Sequence, residues 1–214
     1  FNPDSGYGFA NLHPLGNVYV ETGMNEMGVF IELNNGAYSD PECVEGLEDT
    51  PSVMATALNR CGSAHEAAEY LAEVPANLSY ILQVADSEEC VSVERATFGA
   101  RVRRTDHDGV LAAYNSFVPP YPDEWTGKVT DARPEAEDPR YSNLIRLAGS
   151  AEFFGRLDAD GMMELMDIEI RDGGALHRGT VYQVVAVPET LTLWIRALGY
   201  SGWQQVDLGG LFRD

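Results

Sequence analysis

The sequence predicts an α+β layered fold, and three observations lead to it. Strand-like and helix-like stretches come in blocks, as strands, two helices, several strands, two helices and strands, with no regular βαβ alternation. The strand stretches are dense in β-branched and aromatic residues, as in Thr180-Val181-Tyr182-Gln183-Val184-Val185-Ala186-Val187. The chain has 214 residues, 44% of them apolar, which is enough to bury a core. A single domain over residues 1–214 is expected.

Residues 1 to 16 are rich in Gly, Pro, Asn and Asp and read as an extended lead-in. Asn17-Val18-Tyr19-Val20-Glu21 and Val29-Phe30-Ile31-Glu32-Leu33 read as two strands of a hairpin. Gly23 and Gly28 frame its connection, and Asn25 suits a left-handed backbone there. Asn34, Asn35 and Gly36 then stand at the end of the second strand. An acidic loop covers 36 to 49. Thr50 as N-cap with Pro51 at the first helical position opens a helix through Met54, Ala55 and Leu58 that stops near Cys61-Gly62. Ser63 and Glu66 have capping-box spacing, and Ala67, Ala68 and Leu71 form the apolar face of a second helix that ends at Pro75.

Tyr80 to Ala85 is a dense apolar run and reads as a buried strand. Asp86 to Glu89 is a turn, and Cys90 to Glu94 alternates as a half-buried strand does. Arg101-Val102-Arg103 and Val110 to Tyr114 are expected to continue the sheet, the latter ending at Asn115. Residues 116 to 140 hold Pro119, Pro120, Pro122, Pro134 and Pro139 and read as a long loop of the kind that forms functional rims or mobile segments. Helices are expected over 141–154 and 160–168. Asp158-Ala159-Asp160-Gly161 hints at a calcium loop, but the flanking ligand positions are absent, so it reads as a helix start. Strands follow over 180–187, 191–196 and 203–206.

The formal net charge of −20 argues against nucleic-acid binding and against an anionic membrane surface. Lys128 is the only lysine; a GC-rich genome or a salt-adapted source would each account for that. No stretch of about 18 apolar residues suggests a membrane span. Cys43, Cys61 and Cys90 show no CxxC pair and no metal-ligand spacing. An odd count fits reduced thiols, hence a cytoplasmic location, with a periplasmic or secreted one left open. No cofactor and no metal is expected. His13, His65, His107 and His177 are scattered and form no Cys–His or Ser–His pair by spacing.

Several strings, taken in order, resemble one family group. Gly23-Met24-Asn25-Glu26-Met27-Gly28 is similar to the GMNE-x-G hairpin of the choloylglycine hydrolase and acyl-coenzyme A:6-aminopenicillanate acyltransferase families. Leu58 to Leu71, then Gln83-Val84-Ala85-Asp86 and Val93-Glu94, resemble their helix pair and the hairpin after it. Ala113-Tyr114-Asn115-Ser116-Phe117 resembles their strand end, and Thr180 to Trp194 their final strand pair. The resemblance implies an αββα sandwich of the N-terminal nucleophile hydrolase type. It also implies chemistry on linear amide bonds, as a hydrolase or an acyltransferase. A cysteine at the mature N-terminus would attack the carbonyl, with its own α-amino group, of pKa about 8, as base. Asn115 matches the oxyanion-hole asparagine, and Asn34 or Asn35 falls where a second one is placed. Arg146 is nearest to the arginine at the start of the helix after the long loop.

The nucleophile itself has no match. Phe1 cannot serve, and the arginine and aspartate that orient the family's cysteine are absent, as is its first hairpin. Cys61 precedes a helix N-terminus, where a thiolate would be stabilised. Cys90 reads as core, and Cys43 lies in an acidic loop. The expectation is therefore a body lacking its N-terminal catalytic segment, with a small-molecule amide as substrate and an upstream fragment or a homo-oligomer as partner. The alternative is a catalytically inactive domain of the same fold that binds a small molecule or a partner chain.

Overall fold

The computed structural model describes residues 1–16, 19–105, 109–130 and 137–212. Asn17 and Val18 of the expected first strand, His107, and Pro134 of the long loop lie outside them. Strands β1 (Phe9–Leu12), β2 (Thr22–Asn25), β3 (Phe30–Asn35), β4 (Tyr80–Ala85), β5 (Cys90–Ala96) and β6 (Gly99–Arg104) form a six-stranded antiparallel meander in chain order. Strands β7 (Tyr182–Val187), β8 (Thr192–Ala197) and β9 (Gln204–Asp207) form a second sheet of three.

Helices α1 (Thr50–Arg60) and α2 (Ala64–Glu73) cover one face of the large sheet. Val53, Met54, Leu58, Ala67, Ala68 and Leu71 pack there on Ile31, Leu82, Val84, Val91 and Val93. The period of 2 along each strand sends the next residues to the opposite face. On that face Met24 and Phe30 meet Val184, Leu193 and Leu208 of the second sheet and of the short helix α5 (Leu208–Leu211). Helices α3 (Arg140–Ala148) and α4 (Ala159–Met166) share their own cluster of Leu144, Leu147, Phe153 and Leu165. The end of α4 lies over the outer side of β7 and β8: Gln183 donates to the Met166 carbonyl at 2.7 Å, and Arg196 pairs with Asp167. The layers are thus helix, sheet, sheet, helix, the αββα order that the resemblance implies.

Local chemistry explains the helix starts. Asp49, not Thr50, caps α1, accepting from Ser52 N at 3.0 Å, and Pro51 falls in the first turn where its missing N–H costs nothing. Ser63 accepts from Glu66 N, while the Glu66 carboxylate reaches back to Gly62 N at 2.7 Å. Asp158 caps α4 by accepting from Gly161 N, the helix-start role read from the sequence.

Three expectations are corrected. The lead-in contains β1, which pairs with β2 through Phe9↔Asn25 to Leu12↔Thr22. The hairpin turn sits later than expected. Gly23 is inside β2, where a Cβ would come 2.6 Å from Leu58 Cδ1, so it marks close helix approach instead of a turn. The turn runs from Asn25 to Val29, and Gly28 supplies the left-handed conformation at φ +84°. Finally, 110–114 is not a strand. Its neighbour β6 reaches it with side chains, Arg103 donating to the Ala112 carbonyl at 2.8 Å, so no ladder forms.

Candidate active site

The inner face of the large sheet carries an unusual row. Register places Thr22, Glu32, Gln83, Ser92 and Arg103 directly opposite one another across β2 to β6. Beside it lies Glu94, fully buried, accepting from Arg103 Nε at 2.9 Å, from Arg101 Nε at 2.7 Å and from Val118 N at 3.0 Å. Arg101 continues to the Pro120 and Val118 carbonyls and stacks on Tyr121 and Trp125. Phe117 and Trp125 bury against Ile81 and Ala96. The start of the long loop is thereby fastened to the sheet edge, and Asn115 is set at a rim.

Asn115 is half-buried and held at both ends of its amide. Its Oδ1 accepts from Arg140 Nη2 at 3.0 Å, and its Nδ2 donates to the Asn35 carbonyl at 3.2 Å. Asp138 binds the same guanidinium through both oxygens, at 2.7 Å to Nε and 2.6 Å to Nη2. That pairing raises the Arg140 pKa above its ordinary value, against the opposing effect of burial. An amide NH₂ has two N–H groups. The bond to Asn35 uses one, and no described residue takes the other.

Two adjoining cavities meet here. One, of about 570 Å³, is lined by Asn35, Ala37, Tyr38, Asn115, Arg140 and His177. The other, of about 480 Å³, lies between the sheets and α3–α4, and Glu32, Asn34, Phe30, Leu144 and Met162 are among its walls. Arg140 and His177 line both. Asn34 donates to Glu32 at 2.9 Å, whereas Asn35 closes a turn by accepting from Ala37 N at 2.8 Å. Arg146 is not brought to this place. It is exposed on α3 and donates to the Gly173 carbonyl at 2.6 Å. Arg140 is the first residue of α3, and Arg146 lies in its second turn.

No family model matches the sequence, and no curated protein does. Solved structures do. A variant of conjugated bile acid hydrolase from Clostridium perfringens superposes with a TM-score of 0.62 at 14% identity, over 95% of this chain and 78% of that one. Penicillin V acylase from Agrobacterium tumefaciens gives 0.57 at 16% identity, over 89% of this chain and 67% of that one. The Caenorhabditis elegans ortholog of N-acylethanolamine-hydrolyzing acid amidase gives 0.55 at 17%, over 86% and 80%. The chain has the fold of the N-terminal nucleophile hydrolases.

Within that nucleophile-hydrolase fold none of Cys43, Cys61 and Cys90 lines either cavity. Cys61 is buried, and burial, followed by the charge of Glu66, raises its thiol pKa. The helix N-terminus therefore does not make it a thiolate. Cys90 was expected in the core but is exposed at the start of β5, as is Cys43 in its loop. Asn25 and Glu26 are structural, tying the hairpin to α1 and to β1. Besides Arg140 and Asp138, two residues escaped the sequence reading. His177 had no partner by spacing, and its Nδ1 accepts from Gly179 N at 2.9 Å. Glu32 read only as part of the second hairpin strand. Burial pushes its carboxyl up to about 7.

Proposed function

We propose that this chain is the body of an enzyme that cleaves or forms linear amide carbon–nitrogen bonds in small molecules. The nucleophile of this reading is an N-terminal cysteine outside the 214 residues. Attack on the amide carbonyl gives a tetrahedral oxyanion, then an acyl-cysteine that water or a second amine resolves. Asn115 donates its remaining N–H to the oxyanion, and Asn34 or Asn35 is the second donor. Arg140 is a positioning residue, fixing which way the Asn115 amide faces.

The observation that carries this reading is the Asn115 amide, clamped by Arg140 and the Asn35 carbonyl with one donor left over. Preorganised donors of this kind act without reorganising during the reaction, and losing one typically costs about 2.7–4 kcal/mol. A likeness of fold to a bile acid hydrolase, a penicillin acylase and an acid amidase adds weight. The test uses the natural gene product with a panel of linear N-acyl amides, penicillin V and a conjugated bile acid among them. Asn115→Ala is expected to lower kcat at least about a hundredfold with KM little changed. An unchanged kcat removes Asn115 from the machinery. No turnover of any amide, with a native N-terminus that is not Cys, Ser or Thr, favours the inactive binding domain instead.

A further inference from the structure

In the row of polar residues on the inner sheet face, one position carries a charge that no described residue balances. Arg103 is spent on Glu94 and on the Ala112 carbonyl. Gln83 Nε2 donates to Ser92 Oγ at 3.0 Å, and Thr22 Oγ1 lies 3.4 Å from Tyr182 Oη. Glu32, in the middle of the row, accepts one bond on Oε2 from Asn34. No arginine or lysine among the described residues pairs with it; the buried pairs are those of Glu94 and Asp138. Yet Glu32 lines a cavity whose walls include the apolar Phe30, Leu144, Met162, Leu165 and Leu176, and the arginine that also lines it, Arg140, is paired with Asp138. A carboxylate among apolar walls without a counter-ion is costly, and a cation brought by a ligand removes that cost.

The amides beside it share the same polarity. Gln83 turns its NH₂ to Ser92 and Asn34 turns its NH₂ to Glu32, so each keeps its carbonyl oxygen as an acceptor without a described partner. The floor thus offers one carboxylate and two carbonyl oxygens. A primary ammonium group carries three donors and no acceptor. We propose that the cavity between the sheets is a subsite for a primary ammonium group on an apolar chain, with Glu32 as the residue that selects it. As a substrate feature this rests on the amide reading above: the acyl chain or the amine portion carries an amino group. As a binding site it stands without that reading. A volume of about 480 Å³ is within the range of small-molecule sites.

Binding has a pH signature. Glu32 is half-protonated near pH 7, and an ammonium ligand requires the carboxylate, so binding releases a proton and tightens from pH 6 to pH 8. The other ionisable groups facing the cavity are Tyr182 of β7, Tyr114, His177 and Arg140, the last held by Asp138. Burial raises both tyrosines, so neither ionises in this window. His177→Gln separates the remaining group and is expected to leave the pH dependence in place.

The experiment is calorimetric titration of this chain at pH 8 in about 0.15 M salt, where long-range attraction to the acidic surface is screened. The probes are n-hexylamine, n-hexanol and hexanoate. Hexylammonium is expected to bind at least about tenfold tighter than hexanol, hexanoate not at all, and Glu32→Gln to abolish the preference. Equal binding of amine and alcohol overturns the proposal, as does a preference that survives in Glu32→Gln. The comparison among probes on the unaltered chain decides even if the variant fails to fold. No step of the titration needs amide turnover, so its failure leaves the catalytic reading standing.

Discussion

Glu32 has a consequence for stability as well as binding. Its carboxyl ionises near 7 in the folded chain and near 4.5 when exposed. Below about pH 4.5 both states are protonated and the residue is neutral in effect. Between these values the unfolded chain gives up the proton first, so stability falls as pH rises, and above about pH 7 the penalty is constant. At 1.36 kcal/mol per pH unit this amounts to at most about 3 kcal/mol, since the cavity gives water a path to the group. Glu32→Gln keeps the shape and the acceptor for Asn34. It is expected to raise Tm at pH 8 and to leave it nearly unchanged at pH 4.5, in thermal melts of both forms. Equal effects at the two pH values would contradict a buried, uncompensated carboxyl. Nothing in the sequence marks Glu32, because an alternating strand puts acids on its outer face far more often than on its inner one. Arg140 falls one residue before the helix expected from 141, within which Arg146 is the nearest arginine.

The hairpin of β2 and β3 depends on one side chain. Asn25 is fully buried, donating to the Leu58 and Cys61 carbonyls at 2.9 Å each and accepting from Met27 N at 3.1 Å and Val29 N at 2.9 Å. It closes the turn on one side and caps the last carbonyls of α1 on the other. Asn25→Ala leaves those groups buried and unpaired, for a loss of roughly 2–4 kcal/mol. Asn25→Asp keeps both acceptor bonds but turns a carboxylate oxygen toward two carbonyls, so it should cost at least as much. Urea denaturation of the two variants checks this, and an Asp variant close to the parent would mean that the donor side contributes little. Elements with a clear period or cap were legible in the sequence: β4 matches residue for residue, and both helices of the first pair begin and end within a residue of expectation. Elements made by tertiary contact were not. The first strand is only Phe9–Leu12 and gains its pairing from β2, while 110–114 had strand composition but met arginine side chains instead of a free ladder. The rim followed the same division. The position of Asn115 came from a string, whereas its partners Arg140 and Asp138 come from a fold that brings residues 115, 138 and 140 together around a long loop.

The charge of the whole molecule is unevenly placed. Arg95 is buried beneath the end of α2, donating to the Val74 carbonyl at 2.8 Å. Arg101 and Arg103 neutralise Glu94, and Arg140 neutralises Asp138. Four of the fourteen Lys and Arg residues are thus engaged inside, and the surplus of acids faces water, in a chain of net charge −20. Self-repulsion of this kind opposes the compact state. Salt acts on it through screening, since the Debye length falls from about 30 Å at 0.01 M to about 8 Å at 0.15 M. The buried pairs are screened far less, and exposed pairs such as Arg171 with Glu169 contribute little to lose. Tm at pH 7.5 is thus expected to rise by several degrees between 0.01 and 0.15 M NaCl, a range too dilute for general salting-out effects. The rise should vanish near pH 4.4, where the sequence carries no net charge. A melt that ignores salt at pH 7.5 would mean that the exterior acids are already compensated by contacts. A rise that persists at pH 4.4 would point to ion binding at particular sites and away from screening of the whole.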